Sequence, residues 1–129
     1  MKLLIIPTLN EKNNIKDLIK NIKKTNQKLD ILFIDDNSSD GTKSEIIKLS
    51  RQHKNISYKF RPKKMGIGSA HKDGLKYAYK KRYKIILTMD ADGTHQPKYI
   101  TNLLKHIKKF DLVSTNRFIK KNSLKEWPI

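Results

Sequence analysis

The sequence predicts an α/β fold in which helices cover both faces of a mostly parallel β-sheet. Short apolar runs alternate along the whole chain with segments whose apolar residues recur at helical spacing. The apolar runs are continuous rather than alternating with polar residues, which is typical of strands buried on both faces. The chain has 129 residues and no internal repeat or low-complexity linker, so it suits a single domain.

Five strands are predicted from these continuous apolar runs. They cover Lys2–Ile6, Leu29–Ile34, Ile56–Phe60, Lys84–Met89 and Asp111–Ser114. The strands alternate with helices rather than following one another directly, so each needs a crossover connection. This order favours parallel pairing over hairpins.

Four helices are predicted between and after these strands. Apolar residues at helical spacing place them at Glu11–Lys24, Thr42–Gln52, Ser69–Lys81 and from Pro97 through Ile107. In the third helix, Ala70, Leu75 and Ala78 are the expected small or apolar contacts. Asn10 is the expected N-cap of the first helix, and Ser39 or Asp40 of the second.

The net charge of +17 comes mainly from lysine, which supplies 25 of the 29 basic residues. These lysines are spread over every predicted helix, whereas nucleic-acid readers rely on arginine and interleaved aromatic residues. We therefore attribute most of the charge to compositional bias and expect no nucleic-acid partner. A weak attraction to an acidic membrane surface remains an expectation.

Two absences bear on the compartment. There is no cysteine, so disulfides and thiolate chemistry are excluded. The opening apolar run is too short for a signal peptide, and no window reaches the length of a membrane span. The sequence thus predicts a cytoplasmic protein, in peripheral contact with the inner face of the membrane.

Polar clusters follow four of the predicted strands. They are Thr8–Glu11, Asp35–Asp40, Asp90–Thr94 and Ser114–Arg117. The carboxyl ends of parallel strands lie at one edge of the sheet, and open α/β sheets bind ligands at that edge. The sequence therefore predicts a ligand site built from these clusters.

Asp90 and Asp92 are separated by one residue directly after a strand, so both can face one hard cation. Mg²⁺ and Mn²⁺ prefer oxygen ligands, and Mg²⁺ is commonly held by one or two carboxylates plus substrate phosphates. The alternative is a structural role in which Asp92 or Thr94 caps the helix that follows.

Asp36 and Glu11 are the other two candidate acids. Adjacent carboxylates such as Asp35 and Asp36 repel each other unless a cation or hydrogen-bond donors are near, so Asp36 is expected to accept from a ligand N–H or O–H. Turn chemistry is the alternative for Asp36. For Glu11, the alternative is a favourable position in the first turn of a helix.

Basic residues complete the predicted site. The loop from Arg61 to Ala70 contains two glycines, Lys63 and Lys64, and runs into a helix whose first N–H groups suit an anion. A mobile loop is the alternative. Arg117 follows the last strand and could neutralise a diphosphate, with a plain surface base as the alternative.

As a set, these clusters resemble the family 2 glycosyltransferases of the GT-A fold, and within them the dolichyl-phosphate mannosyltransferases and related polyprenol glycosyltransferases. The order and spacing hold along nearly the whole chain. The matching stretches are Ile5-Ile6-Pro7-Thr8 with Asn10-Glu11, Ile34-Asp35-Asp36-Asn37-Ser38 with Asp40-Gly41-Thr42, Arg61-Pro62 with Gly66-Ile67-Gly68-Ser69-Ala70, Met89-Asp90-Ala91-Asp92 with His95 and Pro97, and Asp111-Leu112-Val113-Ser114 with Arg117-Phe118.

The resemblance implies an activity and a set of site residues. The activity is inverting transfer of mannose or another hexose from a GDP- or UDP-linked donor to a polyprenyl phosphate, assisted by Mg²⁺ or Mn²⁺. Asp92 would bind the cation, with Thr94 as a second ligand, and Arg117 would face the phosphates. The nucleotide would be held by Pro7, Thr8, Glu11, Asp36, Lys64, Asp90 and Ala91.

The chain departs from the family pattern at three points. Thr115 stands where the family usually has glycine, and Thr94 stands where relatives offer glutamine or serine. The chain also ends at Ile129, where relatives continue into acceptor-binding segments. We therefore expect a GT-A sheet that is incomplete at its C-terminal end, and a chain that is inactive alone.

Two other classes of protein share part of the pattern. The segment from Asp90 to Thr94 matches the opening motif of haloacid-dehalogenase-type phosphatases, but too few residues follow it for the remaining catalytic elements. The acidic end of the second strand is similar to that of response-regulator receivers, but a receiver would begin at that strand.

Overall fold

The protein is described by a computed structural model, which describes residues 1–93 and 96–109. Its centre is a four-stranded sheet, and every strand pair in it is parallel. The spatial order is β3-β2-β1-β4, with β1 at Lys2–Thr8, β2 at Asp30–Asp35, β3 at Ile56–Phe60 and β4 at Ile85–Thr88. The predicted parallel sheet is therefore confirmed.

Helices connect the strands and lie on both faces of the sheet. They are α1 at Lys12–Lys23, α2 at Thr42–Gln52, α3 at Ile67–Lys80 and α4 at Ile100–His106. A 3₁₀ turn, Pro97–Tyr99, leads into α4, with Pro97 at its start as the sequence predicts. No helix within the described ranges is long and apolar enough to cross a bilayer.

The pleat of β1 sends alternate residues into two separate cores. On one face Leu4 and Ile6 pack with Phe33 of β2 and with apolar residues of α1, α2 and α4. On the other face Leu3 and Ile5 pack with α3. Because both faces are covered, the middle positions of β1 and β2 are all apolar, which explains the continuous runs in the sequence.

Helix α3 is packed through its small residues. Ala70, Gly74 and Ala78 are buried against the sheet, whereas Leu75 is 49% exposed. The expectation that Leu75 is a packing contact is therefore wrong. Small residues at four-residue spacing let the helix backbone approach the sheet closely, and Leu75 lies off that stripe.

Most predicted boundaries agree with the structure to within a residue or two, but α3 begins at Ile67 rather than Ser69. Asn10 does not cap α1, since Glu11 occupies the N-cap position and no side chain caps it. Gly41 is the N-cap of α2 with φ of 101°, and Asp40 beside it accepts the backbone N–H of Thr42 at 2.9 Å. The predicted strand Asp111–Ser114 lies outside the described residues.

Candidate functional site

The first two strands bring their polar ends together because β1 and β2 pair in register, with Thr8 opposite Asp35. The Thr8 hydroxyl donates to Asp35 Oδ1 at 2.7 Å. Ser38 donates to the same carboxylate through its hydroxyl at 2.6 Å and its N–H at 2.8 Å. Asp35 is fully buried, so its role is to fix the turn after β2.

The loops after β1 and β2 are joined by further hydrogen bonds. Asn10 donates its N–H to the Ser38 hydroxyl at 2.8 Å, and its side-chain oxygen accepts the N–H of Ser39 at 2.9 Å. The Glu11 N–H donates to the Thr42 hydroxyl at 2.9 Å. Asn10, with φ of 55°, thus bridges two loops instead of capping a helix, and the bridge fixes where Glu11 stands.

Carboxylates from three loops meet near Glu11. Its pKa is raised, chiefly by burial, and the negative charges of Asp92, Asp40 and Asp90 raise it further. The hydrogen bond that Asn14 donates to Glu11 at 2.7 Å acts in the opposite direction. Since β4 pairs with β1, the loop carrying Asp90 and Asp92 lies beside the loop carrying Glu11.

This carboxylate cluster suits a divalent cation that is shared with an anionic ligand. Within residues 1–93 and 96–109 no three His, Cys, Asp or Glu side chains are arranged to hold a metal ion by themselves. Mg²⁺ commonly needs only one or two carboxylates when phosphates complete its shell. The repulsion felt by Glu11 is what a bound cation would relieve, so the donor set fits such an ion.

A second cluster forms around Asp36, which is buried next to Arg61. Asp36 Oδ1 pairs with the Arg61 guanidinium, and Oδ2 accepts the N–H groups of Met65 at 3.2 Å and Gly66 at 3.0 Å. The sequence predicts that this loop suits the anion of a ligand, but in the structure the anion that its amides bind belongs to the protein. That anion is the carboxylate of Asp36, brought there because β2 and β3 are neighbours.

Arg61 has a role in the site that the sequence pattern does not predict. The sequence places it only in a basic loop, yet in the structure it is 2% exposed and contacts four residues. One signal was available, because arginine occurs only four times in this lysine-rich chain. Arginine is preferred where a charged fork must be buried against carboxylates.

The structure brings most of the predicted site residues to one edge of the sheet. Lys64 is exposed in the loop after β3, next to the Asp36 cluster. Thr94 and Arg117 lie outside the described residues. The carboxyl ends of β1, β2 and β4 carry Pro7, Thr8, Glu11, Asp36, Asp90, Ala91 and Asp92.

An open cavity of about 220 Å³ borders the segment that carries Asp92. It lies between α1 and the residues after β4, and its lining mixes polar and apolar residues. A larger cavity, about 460 Å³, lies on the outer surface of α2 and touches none of the predicted site residues. Only the smaller of these two cavities is lined by a predicted site residue, Ala91. Its lining residues are Asn14, Asp17, Leu18, Asn21, Ala91, Gly93, Gln96 and Pro97.

Comparison with known proteins decides the family. The sequence profile of glycosyl transferase family 2 matches residues 3–129. The chain belongs to glycosyl transferase family 2. The receiver and dehalogenase-type alternatives are therefore wrong.

Curated proteins named as polyprenol-linked mannosyltransferases resemble the chain along nearly its whole length. It is 30% identical over 126 residues to the undecaprenyl-phosphate mannosyltransferase of Micrococcus luteus, covering 98% of this chain and 52% of that protein. It is 30% identical over 128 residues to the polyprenol monophosphomannose synthase of Mycolicibacterium smegmatis, covering 98% and 48%. The chain thus spans about half the length of these relatives.

Solved structures of glycosyltransferases share the fold. The mannosyltransferase PcManGT from Pyrobaculum calidifontis, in complex with GDP-Man and Mn²⁺, superposes with a TM-score of 0.75 at 21% identity, covering 95% of this chain and 38% of that one. S. aureus TarS in complex with UDP gives a TM-score of 0.67 at 18% identity, covering 93% and 40%. The fold of this family 2 member is therefore of the GT-A type.

Proposed function

We propose that this chain is the nucleotide-sugar-binding part of an inverting hexosyltransferase that transfers a sugar from a nucleotide diphosphate to a polyprenyl phosphate. The observation that carries the proposal is the cluster of Glu11, Asp90 and Asp92 at the edge shared by β1 and β4. The names of the related mannosyltransferases favour mannose as the sugar and a polyprenyl phosphate as the acceptor. The ligands of the solved neighbours favour a GDP- or UDP-linked donor.

The loops after β1 and β2 are proposed to form the nucleotide pocket. Pro7, Thr8, Glu11 and Asp36 would line it, and the hydrogen bonds between the two loops would keep its shape in the absence of ligand. The Thr8 hydroxyl is already donated to Asp35, so Thr8 would contribute through its position rather than through a new hydrogen bond.

The diphosphate is proposed to lie over the loop after β4. Asp90 and Ala91 would contact the ribose and phosphate side of the donor, and Lys64 would add positive charge from the neighbouring loop. Asp92 would hold Mg²⁺ or Mn²⁺, with Thr94 as a further ligand. A bound cation offsets the negative charge that builds on the departing diphosphate.

The acceptor needs little activation. A polyprenyl phosphate is already anionic, so its oxygen can displace the nucleotide at the anomeric carbon without a strong general base. A single displacement of this kind inverts the anomeric configuration. Arg117 is proposed to face the donor or acceptor phosphate. The enzyme would work in the cytoplasm, in peripheral contact with the inner face of the membrane that holds its acceptor.

The test is the affinity for nucleotide-sugar after removal of the proposed metal ligand. We expect Asp92→Ala to weaken binding of GDP-mannose or a UDP-linked sugar in Mn²⁺ by about tenfold or more, measured by titration calorimetry. Asp30→Ala is the matched control, because it removes the same charge at the opposite edge of the sheet, where Asp30 accepts from Tyr83. If Asp92→Ala binds the donor as tightly as the parent chain does, the proposal fails.

A further inference from the structure

The guanidinium of Arg61 makes polar contacts with other residues of the fold on all three of its nitrogens. Its Nε donates to Asp36, its Nη1 donates to the Ser69 hydroxyl at 2.7 Å, and its Nη2 donates to the Gly66 carbonyl oxygen at 2.8 Å. Asp36 also lies against Nη2, and Asp73 lies 3.5 Å from Nη1. Three hydrogen bonds and two ion-pair contacts therefore surround the guanidinium, whose side chain is 1% exposed, so Arg61 is engaged within the fold rather than presented to a ligand.

These contacts join three elements at the edge where the nucleotide is proposed to bind. Asp36 follows β2, Arg61 follows β3, and Gly66 and Ser69 lie at the start of α3. The backbone N–H of Arg61 also donates to the Asp35 carbonyl at 2.9 Å, which continues the ladder between the two strands. One buried side chain thereby sets the orientation of Asp36 and both ends of the loop at residues 62–66.

Stability alone is a weak reason for such an arrangement. Removing two charges from water is costly, and apolar residues of similar volume often stabilise a protein as well or better. A buried ion pair does offer a fixed geometry. Here the fixed group is Asp36, one of the residues proposed to line the nucleotide pocket.

We infer that Arg61 is a positioning residue for nucleotide binding, acting through Asp36 and the loop at residues 62–66 without touching the ligand itself. The inference rests on the proposed function, since it assigns a supporting residue to the same site. Arg61 holds Asp36 in one orientation and keeps Lys64 beside the diphosphate position.

A double-mutant cycle tests this route of action. Binding of GDP and of UDP in Mn²⁺ is measured for the parent chain, Arg61→Gln, Asp36→Asn and the double variant. Each single change is expected to weaken binding of the preferred nucleotide by roughly tenfold. The nucleotide affinity of the double variant is expected to equal that of the single variant with the lower affinity, because Arg61 acts through Asp36. Losses that multiply in the double variant would show a separate structural effect and overturn the inference.

Two further variants keep the result interpretable. Tyr83→Phe is the matched control, since it removes a 2.6 Å hydrogen bond to Asp30 at the opposite edge of the sheet and should leave the affinity unchanged. If circular dichroism shows that Arg61→Gln is unfolded, Ser69→Ala decides. It removes only the hydrogen bond to Nη1 and is expected to weaken binding about threefold. Unchanged affinity in Ser69→Ala would then overturn the inference.

The possible failures can be told apart. A parent chain that binds neither GDP nor UDP contradicts the proposed function, and the inference falls with it. A parent chain that binds nucleotide while folded Arg61→Gln binds equally well contradicts the inference alone and leaves the proposed function intact.

Discussion

The acidic residues at the sheet edge have different roles because each one faces different polar partners on the neighbouring strands and loops. Asp35 points into the turn after β2, where Thr8 and Ser38 donate to it. Asp36 points toward the end of β3 and meets Arg61. Glu11 has no cationic partner among the described residues. Instead, burial and the negative charges of nearby carboxylates raise its pKa. At the residue scale, the groups with unfavourable surroundings mark the candidate site.

Glu11 should therefore make stability depend on pH. Its pKa in the folded state lies above the usual value of 4.5, so the unfolded chain loses this proton first as pH rises. Ionisation of Glu11 then favours unfolding between pH 4.5 and its raised folded value. Glutamine cannot ionise and can still accept from Asn14. We expect Glu11→Gln to melt at a higher temperature than the parent at pH 7, and at the same temperature near pH 3.5.

Thermal melts of both proteins across this pH range measure the effect. A melting-temperature difference that is as large at pH 3.5 as at pH 7 would show that the gain comes from something other than the charge of Glu11.

Helix α3 packs closely on the sheet because Gly74 has no side chain at the point of contact. Gly74 faces β1, and a Cβ atom added there would lie 2.7 Å from Cδ1 and 2.8 Å from Cγ2 of Ile5. Ile5 is fully buried, so it has little room to move. The close approach brings the start of α3 down to the sheet edge, where Ser69 and Gly66 contact Arg61. At the element scale, the close packing of α3 on the sheet therefore also determines where Ser69 and Gly66 lie in the candidate site.

Gly74→Ala should destabilise the protein although alanine is the better helix former. The helical preference gains about 1 kcal/mol, but the clash with Ile5 costs about 1–3 kcal/mol. Gly68→Ala in the same helix is the control, because nothing lies within 4 Å of a Cβ atom there. Urea unfolding should show Gly68→Ala at least as stable as the parent and Gly74→Ala less stable. A Gly74→Ala variant more stable than the parent would contradict the close packing.

At the scale of the whole molecule the dominant feature is charge. The net charge of +17 is large for 129 residues, and every helix carries at least one exposed lysine. The candidate site stands out against this background, because it concentrates carboxylates at one edge of a basic protein. A basic surface attracts anionic ligands and anionic lipid alike, and salt weakens both attractions.

The chain is accordingly expected to bind vesicles that contain phosphatidylglycerol and not vesicles of phosphatidylcholine alone. Lysine near an anionic surface contributes about 1 kcal/mol, and screening removes most of this at about 0.5 M salt. Co-sedimentation at low and high salt measures the binding. Equal binding to neutral vesicles, or binding to anionic vesicles that salt does not reduce, would contradict a peripheral contact driven by charge.

The alternation of strands and helices, and the sheet edge at which the polar clusters lie, follow from the amino-acid pattern alone. Continuous apolar runs have no stable place except between two covered faces, and parallel strands put the residues that follow them on one side. Short stretches of sequence are therefore enough to predict the parallel sheet and the edge at which residues such as Glu11, Asp36 and Asp92 lie.

The partners of these residues depend instead on how the strands pair and pack in three dimensions. Asn10 is of a residue type that is common at helix N-caps, yet it bridges two loops because β1 and β2 are paired. The amides of Met65 and Gly66 suit an anion, and the anion is Asp36, some 30 residues earlier in the chain. Buried Arg61 likewise takes its role from contacts across strands. Such contacts depend on strand order and register, which no short window of sequence contains.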